Sequence, residues 1–486
     1  MNLRGVSRVL GFLLLMTAGF LMLPMIVDFI YKEGDWSIFL ISAVITAVSG
    51  GGLMLVGKGA KGLRHREGFA IVSFGWTLIG IAGALPFVLS GVIPSFTDAV
   101  FESISGFTTT GSTIMTNIEA VCEAHHGMIF WRALIQWLGG MGIVVFALAI
   151  LPLLGVGGMQ LFRAESPGPS TEKLTPRIKE TARLLWVVYL LITIAEVIML
   201  MAVGRLGLFD SICHSFTTMA TGGFSTLDSS VGGFGSAAVE WIIILFMFIA
   251  GVNFSLHYLA VSGKPQRYWQ DDEFRFYLKM LVVSSALIIA VLIPSGFFSN
   301  ISDAVRGSVF QVVSICTTTG YGSSDYMLWP PFTHAILLFL MGIGGCAGST
   351  GGGIKMMRVL LILKHGHVEM KKLLHPRAVY SIWFNKRSIP QSLMTNVLGF
   401  FLLFMLVFVT GILVLTLTGN DMVTAVGATA ATLGNIGPGL GMVGPTCNFA
   451  FMSGGEKWFL TFLMLVGRLE IYTFLILLLP ATWRRM

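Results

Sequence analysis

Apolar runs of about twenty residues, the length that crosses the hydrocarbon core of a bilayer, alternate with short polar segments from one end of the chain to the other. They cover residues 9–30, 36–56, 69–89, 128–151, 184–203, 239–260, 278–298, 332–363, 393–417 and 458–479, and so predict ten membrane spans. After the spans near 69, 184, 278 and 393 come four segments too short and too weakly apolar to cross: FTDAVFESISGFTTTGST, LFDSICHSFTTMATGGFST, ISDAVRGSVFQVVSICTTTGYGSSD and NDMVTAVGATAATLGNIGPG. Each contains an early Asp, one short helical stretch, and a close rich in Gly, with Thr in three of the four. The pattern predicts a two-helix prefix followed by four helix–loop–helix repeats, an all-α membrane fold of ten transmembrane helices around one central pore.

The repeats have a measurable register. Asp98 to Gly111, Asp210 to Gly223 and Asp421 to Gly434 are thirteen residues apart, and Asp303 to Gly320 is seventeen, about one helical turn longer. Asp is a strong N-cap. Asp98, Asp210, Asp303 and Asp421 are therefore expected to start four re-entrant helices. A single Asp would merely cap an ordinary loop helix; four in the same place favour the re-entrant reading. Such helices aim their C-terminal ends, each carrying about half a negative charge, at a common interior point, which favours a cation.

Non-helical backbone at membrane depth is tolerated only where it is buried in protein or lines water, and there its carbonyls can replace an ion's hydration shell. The segments supply Thr108, Thr109, Thr110 and Gly111; Thr221, Gly222 and Gly223; Thr317, Thr318, Thr319, Gly320, Tyr321 and Gly322; and Gly434, Asn435, Ile436 and Gly437. Glycine admits the backbone angles such a loop needs, and threonine offers a hydroxyl without bulk. No carboxylate lies in these stretches, which argues against a divalent-cation filter.

Composition agrees with the spans. Hydrophobic residues make up 55% and charged residues 11% of 486 positions, and the mean hydropathy is +0.82. Of 31 Lys and Arg residues, 25 fall in segments 1–8, 57–67, 163–183, 263–279, 355–387 and 484–486. By the positive-inside bias these segments and both termini are expected in the cytoplasm. Lys32, Arg132, Arg205, Arg306 and Lys457 fall outside, and Arg468 falls within a span. The net charge of +7 is thus a topology signal, not a nucleic-acid footprint. The basic start, 1–8, precedes an apolar run long enough to stay as a helix, so no cleaved leader is expected. Cys122, Cys213, Cys316, Cys346 and Cys447 show no CxxC spacing, and the nine histidines form no HExxH. No metal centre, disulfide framework or organic cofactor is expected.

Within the long eighth run, residues 342–353 carry seven glycines. Each costs about 1 kcal/mol in a helix relative to Ala, so the helix should break there. The alternatives are an intramembrane loop that blocks or clears the pore, through Gly344, Gly345, Gly348, Gly351, Gly352 and Gly353, and a small-residue packing face. A phosphate-binding loop fails on spacing, because Lys355 does not directly follow the glycine. Arg468 is expected either to face a water-filled cavity, limiting leak, or to pair with a carboxylate on another span.

The TTTGYG of the third loop looks like a potassium-channel filter, and the four degenerate loops together resemble the Trk/Ktr/HKT superfamily of potassium transporters. The prefix, GFTTTGST, GGFST and VGRLEIYTFLILLLP resemble its bacterial TrkH branch over nearly the whole chain. The resemblance implies a homodimer with one pore per subunit in the bacterial inner membrane, K+ as the transported ion, and gating by the cytoplasmic nucleotide-binding protein TrkA. It carries ion-binding roles onto Thr109, Thr110, Gly111, Thr221, Gly222, Gly223, Thr318, Thr319, Gly320, Gly434, Asn435 and Ile436. The fourth loop, LGNIGPG, departs from the TTG pattern. The repeats are bounded at 68–162, 163–263, 264–387 and 388–486, after a prefix of 1–67. A K+/H+ or K+/Na+ symporter on the same scaffold is the main alternative, with Glu196 and Glu470 as intramembrane carboxylates. An intramembrane hydrolase lacks HExxH, GxSxG or any nucleophile beside a base.

Overall fold

The computed structural model describes residues 2–59, 63, 65–142, 178–469 and 471–483. The expected boundary at 162–163 and Glu470 lie outside the described residues. The prefix is a hairpin. Helices α1 (Leu3–Phe20) and α2 (Met22–Tyr31) run on as one span, and α3 (Trp36–Val56) returns. The buried Asp28 carboxylate turns the chain by accepting from Asp35 N and Trp36 N, both at 2.9 Å. A Cβ on Gly11 or Gly50 would come within 3.0 Å of the other's carbonyl oxygen. This close approach is how small residues join membrane helices.

Four units follow, each with the same three parts. The first has span α4 (His65–Leu89), short helix α5 (Phe96–Phe107) and α6 (His126–Gly140). The second has α7 (Ile178–Ala202), α8 (Leu208–Met219) and α9 (Ala237–Ala250). The third has α10 (Asp272–Ser295), α11 (Ile301–Cys316), α12 (Pro331–Met341) and, after a break, α13 (Met356–Leu374). The fourth has α14 (Gln391–Leu417), α15 (Met422–Leu433) and α16 (Gly454–Arg468). The long opening spans present exposed apolar side chains such as Val282, Leu287, Leu402 and Leu413, whereas Ala99 to Phe107 of α5 are all buried. The spans face lipid and the short helices face protein.

Among the described residues, six helices are long and apolar enough to cross a membrane, and a seventh crossing results if the bent pair starting at Ala237 is one span. Two of the expected runs are broken. The expected run 332–363 stops at Met341 and resumes at Met356, as its glycines require. The expected continuous run 239–260 also breaks: α9 ends at Ala250, and Phe254–Val261 leaves it at 100°. Helix α6 ends at Gly140 and α16 at Arg468, so all four closing helices stop short of their expected runs.

Three aspartates are not the caps they were expected to be. Asp98, Asp210 and Asp303 are the third residues of their helices, after Ser95, Gly207 and Asn300. Only Asp421 is itself the N-cap, accepting from Val423 N and Thr424 N at 3.1 Å. A first-turn carboxylate still complements the helix dipole. Asp98 pairs with Lys457 at 2.7 Å, and Asp303 with Arg306 at 2.9 Å, so two of the basic residues expected outside are tied to helix starts.

Candidate functional site

The four short helices end alike. In each, the first residue past the end cap has positive φ: Thr109 52°, Thr221 53°, Thr318 60° and Asn435 52°. The next residue's N–H bonds back to the carbonyl five positions earlier, Thr110 to Ser105, Gly222 to Thr217, Thr319 to Ser314 and Ile436 to Ala431, at 2.8 to 2.9 Å. This is the Schellman termination. Asn adopts left-handed backbone tolerably, but Thr is branched at Cβ and is strained there, at about 1–3 kcal/mol each. Three strained threonines in equivalent places mark a conformation imposed by the assembly of loops.

Two residues further on stand Gly111, Gly223, Gly320 and Gly437, with φ of 82°, 75°, 82° and 101°. A Cβ on Gly111 would fall within 3.0 Å of Gly222 O, on Gly223 of Thr319 O, on Gly320 of Ile436 O, and on Gly437 of Thr110 O. Each glycine thus abuts the carbonyl of the residue preceding its counterpart in the next loop. The fourth abuts the first, so the loops close into one ring. Both the backbone angle and the space demand glycine.

This geometry corrects the register of the fourth loop. Gly434 is the end cap of α15, with φ −79°, and is equivalent to Thr108, Ala220 and Thr317; Gly437 is the counterpart of Gly111. The thirteen-residue spacing misled because Asp421 sits three positions earlier relative to its helix than the other aspartates. A second signal was legible: Asn435 is a residue type that enters the left-handed region, which places the loop's turn one residue after Gly434.

Side chains from neighbouring elements hold the ring. Gln136 of α6 donates to Gly222 O at 2.7 Å and accepts from Phe224 N at 3.1 Å. Asn435 donates to Thr110 Oγ1 at 2.9 Å and Met464 O at 3.0 Å. Tyr321 bonds Thr217 and donates to His214 O at 3.1 Å. Arg132 and Gln136, one turn apart on α6, were not singled out as site residues, although a charge within an apolar run was the available signal.

The glycine segment folds back directly against the helix ends. Gly344 N bonds Ile354 O at 2.9 Å and Cys346 N bonds Gly251 O at 2.9 Å. Thr350 Oγ1 donates to Met219 O at 3.0 Å, Gly352 N donates to Thr318 Oγ1 at 2.6 Å, and Lys355 reaches Gly351 O. A Cβ on Gly352 would strike Gly434 O. The segment therefore touches the C-terminal ends of α8, α11 and α15 at once. Glu273 receives Ala347 N at 2.7 Å and Met357 N at 2.9 Å, fixing both limbs.

Arg468 ties the glycine segment to the end of α6. Its guanidinium donates to Thr350 O at 2.8 Å, Gly139 O at 2.6 Å and Gly140 O at 3.1 Å, backbone carbonyls at the glycine segment and the end of α6. Helix-terminal carbonyls are natural partners for a cation. Glu196 is fully buried on α7. Among the described residues, no group of three or more His, Cys, Asp or Glu could hold a metal ion, and Cys122, Cys213, Cys316, Cys346 and Cys447 are free.

Comparison with known proteins places these features in context. A family model described as "TrkH: Cation transport protein" matches residues 36–482. The chain is 43% identical over 488 residues to the Trk system potassium uptake protein TrkH of Salmonella typhimurium, covering 100% of both. It is 34% identical over 487 residues to the Trk system potassium uptake protein TrkG of Escherichia coli K12, covering 99% of both. The crystal structure of the potassium transporter TrkH from Vibrio parahaemolyticus superposes with a TM-score of 0.89 at 41% identity, covering 100% of both chains.

Proposed function

The chain belongs to the TrkH family of cation transport proteins, and from that premise we propose that it takes up potassium by selective, gated, channel-like permeation through the ring of four loops. The observation that carries this reading is the closed succession of Gly111, Gly223, Gly320 and Gly437, each set against the backbone of the next loop. Backbone carbonyls and threonine hydroxyls of Thr109, Thr110, Gly111, Thr221, Gly222, Gly223, Thr318, Thr319, Gly320, Asn435, Ile436 and Gly437 form the filter region. Oxygen ligands without a formal charge suit a monovalent ion that must bind and leave quickly. Gly222 O, committed to Gln136, acts as a fixed wall. Four helix C-termini face the site and add a negative field.

The glycine segment, through Gly344, Gly345, Gly348, Gly351, Gly352 and Gly353, is the gate, and Arg468 latches it. Its hydrogen bonds to three helix ends and to Arg468 are broken together when it moves aside. Helix α13 continues from this segment to exposed Lys371 and Lys372, with exposed Arg377 just beyond its end, where a cytoplasmic nucleotide-binding subunit of the TrkA type docks. The functional unit is a homodimer in the bacterial inner membrane, with both termini in the cytoplasm.

The test is flux through purified protein in liposomes under an imposed voltage, with K+, Rb+, Na+ and Li+ compared. K+ and Rb+ should permeate and Na+ and Li+ should be excluded. Equal flux of all four ions, or none of any, refutes the reading.

A further inference from the structure

The same position on each short helix, six residues before its end cap, is occupied by Glu102, His214, Gln311 and Ala428, and the first three are fully buried. Each of those three reaches the outgoing limb of its own loop. Glu102 accepts from Thr113 Oγ1 at 2.9 Å and Ile114 N at 3.0 Å. His214 Nε2 meets Ser225 Oγ at 3.1 Å, and Gln311 Nε2 donates to Ser324 O at 3.4 Å. The position is a strut between helix and limb, and in the first loop it is charged.

The charge lets this strut extend across a loop boundary. Arg132 Nε donates to Glu102 at 2.6 Å, its Nη1 donates to Ser225 O at 3.0 Å, and its guanidinium lies 3.6 Å from the centroid of the Phe224 ring. Thr113 and Ser225 both stand two residues beyond the ring glycine, so the pair grips equivalent points of two adjacent loops. Both side chains are at most 2% exposed. A buried pair is held tightly, because displacing either partner leaves an uncompensated charge.

We propose that the Glu102–Arg132 ion pair is a specificity-determining strut that sets the spacing of the first and second loops, and with it the discrimination between K+ and Na+. The proposal rests on the filter reading above. Neither side chain is an ion ligand; both are positioning residues acting through Thr113, Ile114, Ser225 and Phe224. Selectivity follows the number and placement of ligands, so a looser strut lets the ring adapt to the smaller ion before conduction is lost.

The test is the reversal potential of the intact purified protein in liposomes, with K+ on one side and Na+ on the other. Glu102→Gln should lower the K+/Na+ permeability ratio about tenfold, and Thr113→Val, which removes the hydroxyl that donates to Glu102 and accepts from Met115 N without stranding a charge, about threefold. The double variant Glu102→Gln/Arg132→Gln should recover part of the ratio lost in Glu102→Gln, because no buried charge is left unpaired. If Glu102→Gln does not fold, Thr113→Val carries the test. Folded variants that keep the parent's ratio overturn the proposal, even if they are less heat-stable, since the pair would then serve packing alone. A parent protein without K+ preference instead defeats the filter reading, whatever the variants do.

Discussion

Gly437 and Gly111, 326 positions apart in the sequence, meet where the fourth loop closes on the first: a Cβ on Gly437 would lie 3.1 Å from the Gly111 carbonyl carbon, and a Cβ on Gly111 3.7 Å from Gly437 Cα. Serine at Gly437 would need both a left-handed backbone and space that the first loop fills. Gly437→Ser should therefore admit Na+ and lower the K+/Na+ permeability ratio about tenfold or more. Gly434→Ala, at a φ any residue adopts, should reduce heat stability and largely spare the ratio. Bi-ionic potentials and melting curves of the two variants check this, and the opposite ranking would restore Gly434 to the ring.

If the glycine segment is the proposed gate, its hydrogen bonds make closure a sum of small terms. Thr350→Val removes the donor to Met219 O, a loss of about 1 kcal/mol. That corresponds to roughly a fivefold shift of the closed–open balance. Basal K+ efflux from liposomes without any regulatory subunit should rise accordingly, at unchanged selectivity. Lower efflux from a well-folded variant would favour a purely structural role for this segment.

Arg468 presents two nitrogens to carbonyls on two different elements, Thr350 O through one and Gly139 O and Gly140 O through the other. Lysine keeps the charge but not the fork. Arg468→Lys should raise basal flux less than Arg468→Ala, and neither should change the K+/Na+ ratio. Equal flux in parent, Lys and Ala variants would remove the latch.

Much of this arrangement is legible in the sequence. The four loops could be found because Asp, Thr and Gly recur at near-fixed spacing, and the break after Met341 because seven glycines in twelve positions cannot sustain a helix. The bend after Ala250 is less legible, since 239–260 is long and apolar enough on average to read as one span, although Gly251, Asn253, Ser255 and His257 interrupt its second half. Hydropathy reports burial in lipid and protein alike. Counting from Asp421 aligns Gly434 instead of Gly437 with Gly111, because the place of Asp421 on its helix differs from that of Asp98. The roles of Glu102, Arg132 and Gln136 depend on contacts between helix α6 and two loops, which spacing along the chain does not encode.

The basic end of α13 gives a prediction with a salt signature. Lys371, Lys372 and Arg377 are exposed, so attraction to an acidic surface should be screened within about 8–10 Å at ordinary ionic strength. Replacing all three with Gln should weaken co-purification with the nucleotide-binding subunit and flatten the dependence of binding on salt. Binding that keeps its strength and its salt slope would place the docking surface elsewhere.

The central claim is that one ring of four loops passes K+ down its own electrochemical gradient. The most direct measurement is the reversal potential of the purified protein in liposomes while the K+ gradient, the Na+ gradient and the pH difference are varied one at a time. The potential should move by about 59 mV per tenfold change in the K+ ratio and stay fixed when pH or Na+ alone is changed. A potential that tracks the proton or Na+ gradient would contradict the account and establish coupled transport instead.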